Sequence, residues 1–285
     1  MSGALTVCGY ALREALRRRV FLVVVILTLG FLGLYWLGAR EAFDDTSSFS
    51  AGAENVVDTR AFTGATIFGM AMFATLFLGI VLAIFLTLSV VRGDAERGLL
   101  QPLVVRPLGR ATLLLARWGG ATVVSSAYVV AVYFAALLIT KSAGDWTPDH
   151  VVGPAIALAG GVAVVAALSL LGSVFLSTTA NGIAVFMLFG AGLTAGLLGS
   201  IGNALENETL ENVARITSWA LPFEALYQAG LHALISDTTG LTGVILQLGP
   251  FGVANGASAA IVPWTVIYLA LVLGAAVWAF GRRDL

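Results

Sequence analysis

The side chains that could carry out chemistry are few in this sequence, and they are scattered. Two histidines, His150 and His232, and one cysteine, Cys8, are far apart and match no metal-binding spacing. The only lysine, Lys141, lies in a Thr-Lys-Ser tripeptide without the glycine-rich loop that holds nucleotide phosphates. We therefore expect no metal site, no cofactor and no catalytic site on this chain, which is not predicted to be an enzyme.

Long apolar segments make up most of the chain, and their interiors contain no Asp, Glu, Lys, Arg or His. Carriers coupled to protons or sodium usually place an ionisable residue at membrane depth. Its absence argues against secondary transport, and equally against an intramembrane hydrolase or redox enzyme. Hydroxyl groups supply the remaining polarity, and we expect most of them to hydrogen-bond to their own or a neighbouring helix. They belong to Thr66, Thr75, Thr87, Ser125, Ser126, Tyr128, Tyr133, Ser169, Ser173 and Thr194.

The composition indicates that lipid is the solvent for most of the chain. Hydrophobic residues make up 59% of it and charged residues only 11%, whereas roughly a quarter of the residues in a soluble domain are charged. Apolar runs of about 20 residues are long enough to cross about 30 Å of hydrocarbon as helices. The sequence therefore predicts an all-α polytopic membrane protein, with one transmembrane domain over 1–285 and no nucleic-acid partner. The predicted spans are about 20–38, 62–91, 112–139, 151–177, 180–201 and 262–280.

The distribution of positive charge predicts the orientation of these six spans, because Arg and Lys are retained in the cytoplasm. With the N-terminus inside, eleven of the basic residues are cytoplasmic and four are external. Both termini are therefore predicted to be cytoplasmic, with segments 39–61, 140–150 and 202–261 outside. The cytoplasmic set is Arg13, Arg17, Arg18, Arg19, Arg92, Arg97, Arg106, Arg110, Arg117, Arg282 and Arg283, and the external set is Arg40, Arg60, Lys141 and Arg215.

The external region 202–261 contains two apolar stripes at helical spacing, separated by Pro222. They predict two amphipathic helices at the outer membrane face before the sixth span. The acidic residues Glu206, Glu208, Glu211 and Glu224 argue against further crossings, and a shallow re-entrant dip is left open.

Two short features predict close helix packing. The loop from Ser177 to Asn181 is so short that the fourth and fifth spans must form a tight antiparallel hairpin. In the fifth span, Gly192 and Gly196 form a small-xxx-small pattern that permits close approach of another helix. That helix belongs either to the same protomer or to a second copy across a dimer axis.

The first cytoplasmic loop, residues 92–111, is the most informative stretch. Charged residues alternate there with Leu99, Leu100, Leu103 and Val104, and Pro107 then leads into the third span. The pattern predicts a short amphipathic helix on the membrane face. It fits a simple interfacial anchor beside anionic lipid, and it fits a docking element for another protein.

This loop resembles the signature of type-2 ATP-binding-cassette (ABC-2) permeases. In that pattern an acidic residue, a Gly-Thr-Leu-like turn, a Leu-rich segment, Pro-x-x-Arg and Gly-Lys lead into the third span. The matching residues are Glu96, Gly98, Leu100, Leu103, Pro107 and Arg110. The sequence departs from the pattern at Leu99, at Gly109 and at Ala116-Arg117. The topology and the ending Phe280-Gly-Arg-Arg-Asp-Leu also resemble this family, so the likeness covers the whole chain.

The resemblance implies a permease of a bacterial or archaeal cytoplasmic (inner) membrane, with export as the usual direction in the family. The charge-free spans favour an amphipathic or apolar cargo over a small ion, although hydroxyl-lined paths can also pass polar cargo. The resemblance also implies pairing with a second copy or a paralogue, possible packing of Gly192 and Gly196 at that dimer, and two cytoplasmic ATPase subunits that carry ATP and Mg. Residues 94–104 would be the coupling helix, with Leu99, Leu100 and Leu103 as buried anchors. The full predicted coupling set is Glu96, Arg97, Gly98, Leu99, Leu100, Leu103, Pro107 and Arg110. The external helices would form a lid over the path, and the lid residues are Pro222, Phe223, Leu226 and Leu231.

Two other functions remain as alternatives. A permease that serves the maturation of a periplasmic copper enzyme and moves a sulfur-containing species would have the same size and topology. Only Met70, Met72 and Met187 lie in spans, however, so thioether ligation of copper has few candidates. A membrane scaffold or sensor that does not transport would use the same loop to bind its partner.

Overall fold

The computed structural model describes residues 19–49, 58–88, 110–234 and 260–282, and this part of the chain is helical without β-strands. Its eight helices are α1 (Arg19–Phe49), α2 (Thr59–Thr87), α3 (Arg110–Gly144), α4 (Val152–Phe175), α5 (Thr178–Ala204), α6 (Glu208–Ala220), α7 (Pro222–Ala233) and α8 (Ile261–Gly281). We call the end of the bundle that carries residues 145–151 the upper end. The end that carries residues 176–177 is the lower end.

Six of these helices, α1 to α5 and α8, are long and apolar enough to cross a membrane by length and composition. The prediction of an all-α polytopic protein with six spans is thus confirmed. The largest difference lies in the first span, which was expected to end near residue 38 and continues as a helix to Phe49. The extension persists because buried residues continue at a spacing of four, at Tyr35, Ala39 and Phe43.

Helices α2 and α4 form the centre of the bundle, and the principal apolar core runs along both of them. Phe68, Leu76 and Ile80 of α2 are fully buried together with Leu158 and Val162 of α4. Lipid provides no hydrophobic driving force between helices, so close packing has to hold such a core together. The other spans surround this pair.

The α4–α5 hairpin has an even shorter connection than the sequence predicted, because α5 already begins at Thr178. Asn181 is fully buried in the first turn of α5, and its Nδ2 donates to the carbonyl oxygen of Ser169 at 2.9 Å. Its Oδ1 lies where a Cβ at Gly172 would be. The absence of a side chain at Gly172 therefore lets the amide join the two helices, and the predicted tight hairpin is confirmed.

Helix α6 turns back along α5. The turn contains Glu206 at φ 51°, and Asn207 then caps α6 by accepting hydrogen bonds from the backbone N–H groups of Thr209 and Leu210. A Cβ at Gly202 would lie 2.9 Å from Leu210 Cβ, and one at Gly199 would lie 3.0 Å from Ala214 Cβ. The contacts pair later residues of α6 with earlier residues of α5, so the two helices are antiparallel. Helix α6 therefore runs from the upper end towards the lower end along the outside of α5.

Helix α7 begins at Pro222 and returns to the upper end along α4. A Cβ at Gly161 would lie 3.4 Å from the carbonyl oxygen of Phe223, and the Leu234 carbonyl accepts a hydrogen bond from Asp149 N at 3.2 Å. Gly161 is nine residues below the start of α4, about 14 Å along the helix axis. Both helices expected around Pro222 are therefore present. The beginning of α7, which we call its tip, lies among the spans and not at the outer face of the bundle.

Candidate functional site

The tip of α7 fills a space between α4, α5 and α8. Eight of its twelve residues are buried, from Pro222 to Tyr227 together with Gly230 and Leu231. All four predicted lid residues belong to this buried set, and Phe223 is only 1% exposed. The structure therefore brings the four lid residues together on a helix that is held by packing on several sides. Whether they close a path remains a prediction.

Glycines on the neighbouring spans make room for this helix. A Cβ at Gly160 would lie 3.2 Å from Leu226 Cδ1, and one at Gly192 would lie 2.5 Å from Phe223 Cζ. A Cβ at Gly196 would meet the Glu224 carboxylate and lie 2.8 Å from Gln228 Nε2. Packing within the protomer thus accounts for Gly192 and Gly196, and a dimer contact at these two positions stays an untested prediction.

Glu224 is a buried acid at this depth. Its side chain is 4% exposed, Gln228 gives it one hydrogen bond, and its Oε1 has no partner among the described residues. Burial raises the pKa of the Glu224 carboxyl to about 7, and the hydrogen bond from Gln228 opposes only part of that rise. Burial also raises the pKa of Tyr227, and the Glu224 carboxyl one turn away raises it further.

Aromatic rings link α7 to α2 through α5. Phe77 of α2 and Phe189 of α5 have ring centroids 6.2 Å apart, and Phe189 and Phe223 are 5.8 Å apart. Phe73 of α2 meets Tyr227 of α7 edge to face at 6.4 Å. Such pairs contribute about 0.5–1.5 kcal/mol each beyond their buried area. A movement of α2 relative to α5 would therefore change the ring contacts at the beginning of α7.

An apolar groove of about 600 Å³ opens between α2 and α5 at the lower end. Its walls carry two threonines and otherwise glycine and large apolar side chains. The lining residues are Ile84, Phe85, Leu88, Thr178, Thr179, Gly182, Ile183, Phe186 and Met187. A groove of this size and polarity can accept the apolar part of an amphipathic molecule.

Six of the ten hydroxyl groups that the sequence singled out bond to their own helix backbone or to a neighbouring helix, as predicted. Thr87 donates to Ala83 O at 2.8 Å, and Ser125 donates to Ala121 O at 2.8 Å. Ser126 instead reaches Ala159 O of α4 at 3.3 Å. The buried hydroxyls of Thr75, Tyr133 and Ser169 have no partner in the described part of the chain.

Two hydroxyl pairs join α1 to α3. The hydroxyls of Thr28 and Tyr128 are hydrogen-bonded, and so are those of Tyr35 and Thr140, at 2.5 Å. Thr28 and Thr140 also donate to carbonyl groups of their own helices, at Val24 and Ala136. Among the described residues, these two pairs are polar contacts between the side chains of α1 and α3.

The predicted coupling residues lie outside the described residues, apart from the last one. Glu96, Arg97, Gly98, Leu99, Leu100, Leu103 and Pro107 fall between Leu88 and Arg110, where the structure is not described. Arg110 is the first residue of α3. The coupling helix therefore stays a prediction, flanked by the lower ends of α2 and α3.

Sequence reasoning missed the burial of Glu224, although the pattern contained a sign of it. Glu224 precedes Tyr227, Gln228 and Leu231 by three, four and seven residues, so these side chains share one helix face. The carboxyl served instead as evidence that the segment does not cross the membrane. The α2–α5 groove had no sequence signature, because it is formed by faces of two spans that are 90 residues apart.

Comparison with known families supports this description. The sequence matches the family described as ABC-2 family transporter protein over residues 5–285. The match includes all eight helices, the loop between α2 and α3, and the buried α7. A comparison with curated proteins found no match.

Proposed function

The chain belongs to the ABC-2 family of transporter proteins, and from this premise we propose that it forms the path by which an ATP-driven exporter moves an amphipathic substrate. The observation that carries the proposal is the apolar groove between α2 and α5. Its lining offers apolar and aromatic contacts to an acyl or aromatic group, with two threonine side chains as the polar part. Spans without ionisable interiors favour the same cargo over a small ion.

The groove would be the lower entrance of the path, and α7 would close the upper part. Above the groove, the rings of Phe77, Phe189 and Phe223 follow one another from α2 to α5 and α7. Separation of α2 from α5 would break these contacts and release the tip of α7. The lid residues would in this way open together with the spans.

The energy would come from two ATPase subunits in the cytoplasm, since the sequence contains no nucleotide-binding motif. Residues 94–104 would dock into them and pass their movement to α2, which ends before this loop, and to α3, which begins after it. A second copy of the chain or a paralogue would complete the path. The exposed face of α5 that carries Met187, Thr194 and Leu197 is available to such a partner.

The coupling part of this proposal is tested by a Leu100→Asp, Leu103→Asp double variant, purified with the ATPase of the same transporter. Burial of a leucine contributes about 1.5–3 kcal/mol, so the loss of two anchors should weaken docking by about 100-fold or more. The matched control is Gln101→Asp, which adds a charge between them without removing an apolar anchor. Retention of the ATPase together with full transport in the double variant would rule out the docking helix.

The path is tested with a photoactivatable fatty-acid analogue as an amphipathic probe on the purified protein in nanodiscs. We expect cross-links at Phe186 and Met187 in the groove to exceed those at Leu138, which is exposed on the outer surface of α3. A Gly182→Leu substitution would fill the groove and should remove the excess. Equal labelling of the groove and of Leu138 would contradict a binding path at this place.

Orientation is tested by cysteine labelling in a Cys8→Ser background. Cysteines at Glu208, at the upper end, and at Ser177, at the lower end, would both be on exposed positions. An impermeant thiol reagent on whole cells should label position 208 and should reach position 177 only after the cells are opened. The reverse pattern would invert the proposed topology.

A further inference from the structure

The carboxyl of Glu224 lies in an environment that suits a neutral acid. Its Oε1 rests against the backbone at Gly196, where there is no side chain, and has no donor in the described structure. Gln228 supplies one hydrogen bond. An ionised carboxylate needs several donors or a counter-charge when it is removed from water, whereas a protonated carboxyl needs neither to the same degree.

The helices packed around α7 provide no counter-charge for this acid. Helices α4 and α5 contain no Asp, Glu, His, Lys or Arg at all. None of the other titratable or charged residues on α7, or on the remaining elements packed around it, forms an ion pair with Glu224 within the described structure. These residues are Arg60 on α2, Glu208, Glu211 and Arg215 on α6, Tyr227 and His232 on α7 itself, and Tyr268 on α8.

The position of Glu224 makes its protonation state matter for packing. Glu224 follows Phe223 directly, so it lies in the first turn of α7. The side chain of Phe223 packs against Gly192, and that of Glu224 packs against Gly196. If the carboxyl ionises, water or a donor must reach Oε1, and the contact with Gly196 has to open. We call α7 seated when Glu224 is packed against Gly196 of α5. Ionisation of Glu224 therefore disfavours the seated state.

We propose that Glu224 is a proton-binding site, and that the bound proton holds the tip of α7 against Gly196 of α5. The ligand is the proton itself, and the site lies apart from the groove between α2 and α5. This inference goes beyond the proposed export function and does not depend on it, because the seating of α7 is a property of the permease alone.

The direction of the pH effect follows from linkage. With α7 seated, the pKa of Glu224 is about 7, above its ordinary value of 4.5. The seated state is fully favoured below the ordinary value, where both states carry the proton. As the pH rises from about 4.5 to about 7, the ratio of unseated to seated α7 increases by up to about tenfold per pH unit. Over the whole range the ratio increases by a few hundredfold. Between these two pH values unseating releases one proton, and above about pH 7 neither state carries the proton and the effect is complete.

The test is a pH titration by infrared difference spectroscopy on the full-length permease in lipid nanodiscs, without any ATPase. We expect the carbonyl band of a protonated carboxylic acid that disappears with a midpoint near pH 7. The band should be absent in Glu224→Gln and unchanged in the matched control Glu211→Gln, which alters a partly exposed acid on α6. A band that survives Glu224→Gln, or a Glu224 midpoint near the ordinary value of 4.5, would overturn the proposal.

Hydrogen exchange provides a second readout that does not depend on the band assignment. After correction for the intrinsic pH dependence of exchange, the amides of α7 should lose protection between about pH 4.5 and 7 in the unmodified protein. In Glu224→Gln, whose side chain is always neutral and of similar shape, protection should stay constant. Equal pH dependence in both proteins would refute the link between the proton and the seating of α7, whether or not the chain exports anything.

Discussion

Helices α6 and α7 are neighbours of similar length and similar amphipathic pattern, yet the structure treats them differently. No residue of α6 is buried, and Val213, Ile216 and Trp219 are exposed, whereas eight of the twelve residues of α7 are buried. Helix α6 has a side-chain cap in Asn207, and α7 has none. The comparison teaches that α6 depends on its own cap and on packing against α5 along one side, while α7 is held by the surface that receives it on several sides.

That surface is made by glycine. Gly160 and Gly161 of α4 and Gly192 and Gly196 of α5 lie opposite the first turn and a half of α7, where any side chain would collide with it or press on it. Along α6, Gly199 and Gly202 of α5 allow contact on one side only. The number of sides on which small residues face a helix, and not its amphipathic pattern, decides how deeply it is buried here.

The largest effect should come from removing the anchor of α7. A Phe223→Ala substitution removes the contacts of a buried ring and leaves a void in its place, and such a change typically destabilises a fold by about 3–5 kcal/mol. Thermal unfolding in nanodiscs measures the loss. The matched control on α6 is Ile216→Ala, whose side chain is 69% exposed and should matter by less than about 0.5 kcal/mol. Equal losses at both positions would remove the distinction between the two helices.

A smaller effect is expected when the receiving surface is changed and α7 is left intact. In Gly192→Ala the added methyl group would lie 2.5 Å from Phe223 Cζ, and overpacking of this kind costs about 1–3 kcal/mol. Gly190→Ala on the same helix is the control, because nothing lies within 4 Å of its Cβ position. It should raise stability by up to about 1 kcal/mol through helix propensity. If both substitutions stabilise the protein, the absence of a side chain at Gly192 is not required for the packing of α7.

The smallest effect should appear at the end of α6. In Asn207→Ala the backbone N–H groups of Thr209 and Leu210 lose their acceptor, which costs about 1 kcal/mol in the first turn. Hydrogen exchange should show faster opening of α6 with little change in α7, and Thr209→Ala should leave both helices unchanged. Loss of protection in α7 would mean that the stability of α7 depends on α6. That result would contradict the view that packing against α4 and α5 holds α7 in place.

The sequence predicted the six spans well, because runs of apolar residues report directly on lipid exposure. It also predicted the α4–α5 hairpin, since the chain between the two helices permits only one arrangement. The depth of α7 could not be derived, because amphipathicity shows which face is apolar and does not identify the partner. Glu224 even pointed the other way. A carboxyl excludes a helix from the membrane interior only while it is charged, and the sequence does not show its protonation state.

The candidate groove was hidden for a related reason. Phe85 of α2 and Phe186 of α5 are ordinary apolar residues in their own spans, and they become lining residues only because the two helices stand apart at the lower end. Separation between helices depends on the packing of the entire bundle. Periodicity within a single span contains no information about it.

The two hydroxyl pairs between α1 and α3 have a mechanical consequence. Thr28 and Tyr35 are two helical turns apart on α1, so a slide of α1 by one turn, about 5.4 Å, would break both bonds at once. The two pairs therefore resist sliding of α1 along α3. Few residues of α1 are buried within the described structure, so in a membrane most of this helix would face lipid. A movement of α3 that carried α1 along would displace lipid, and the lateral pressure of the bilayer would then contribute to the work of that movement.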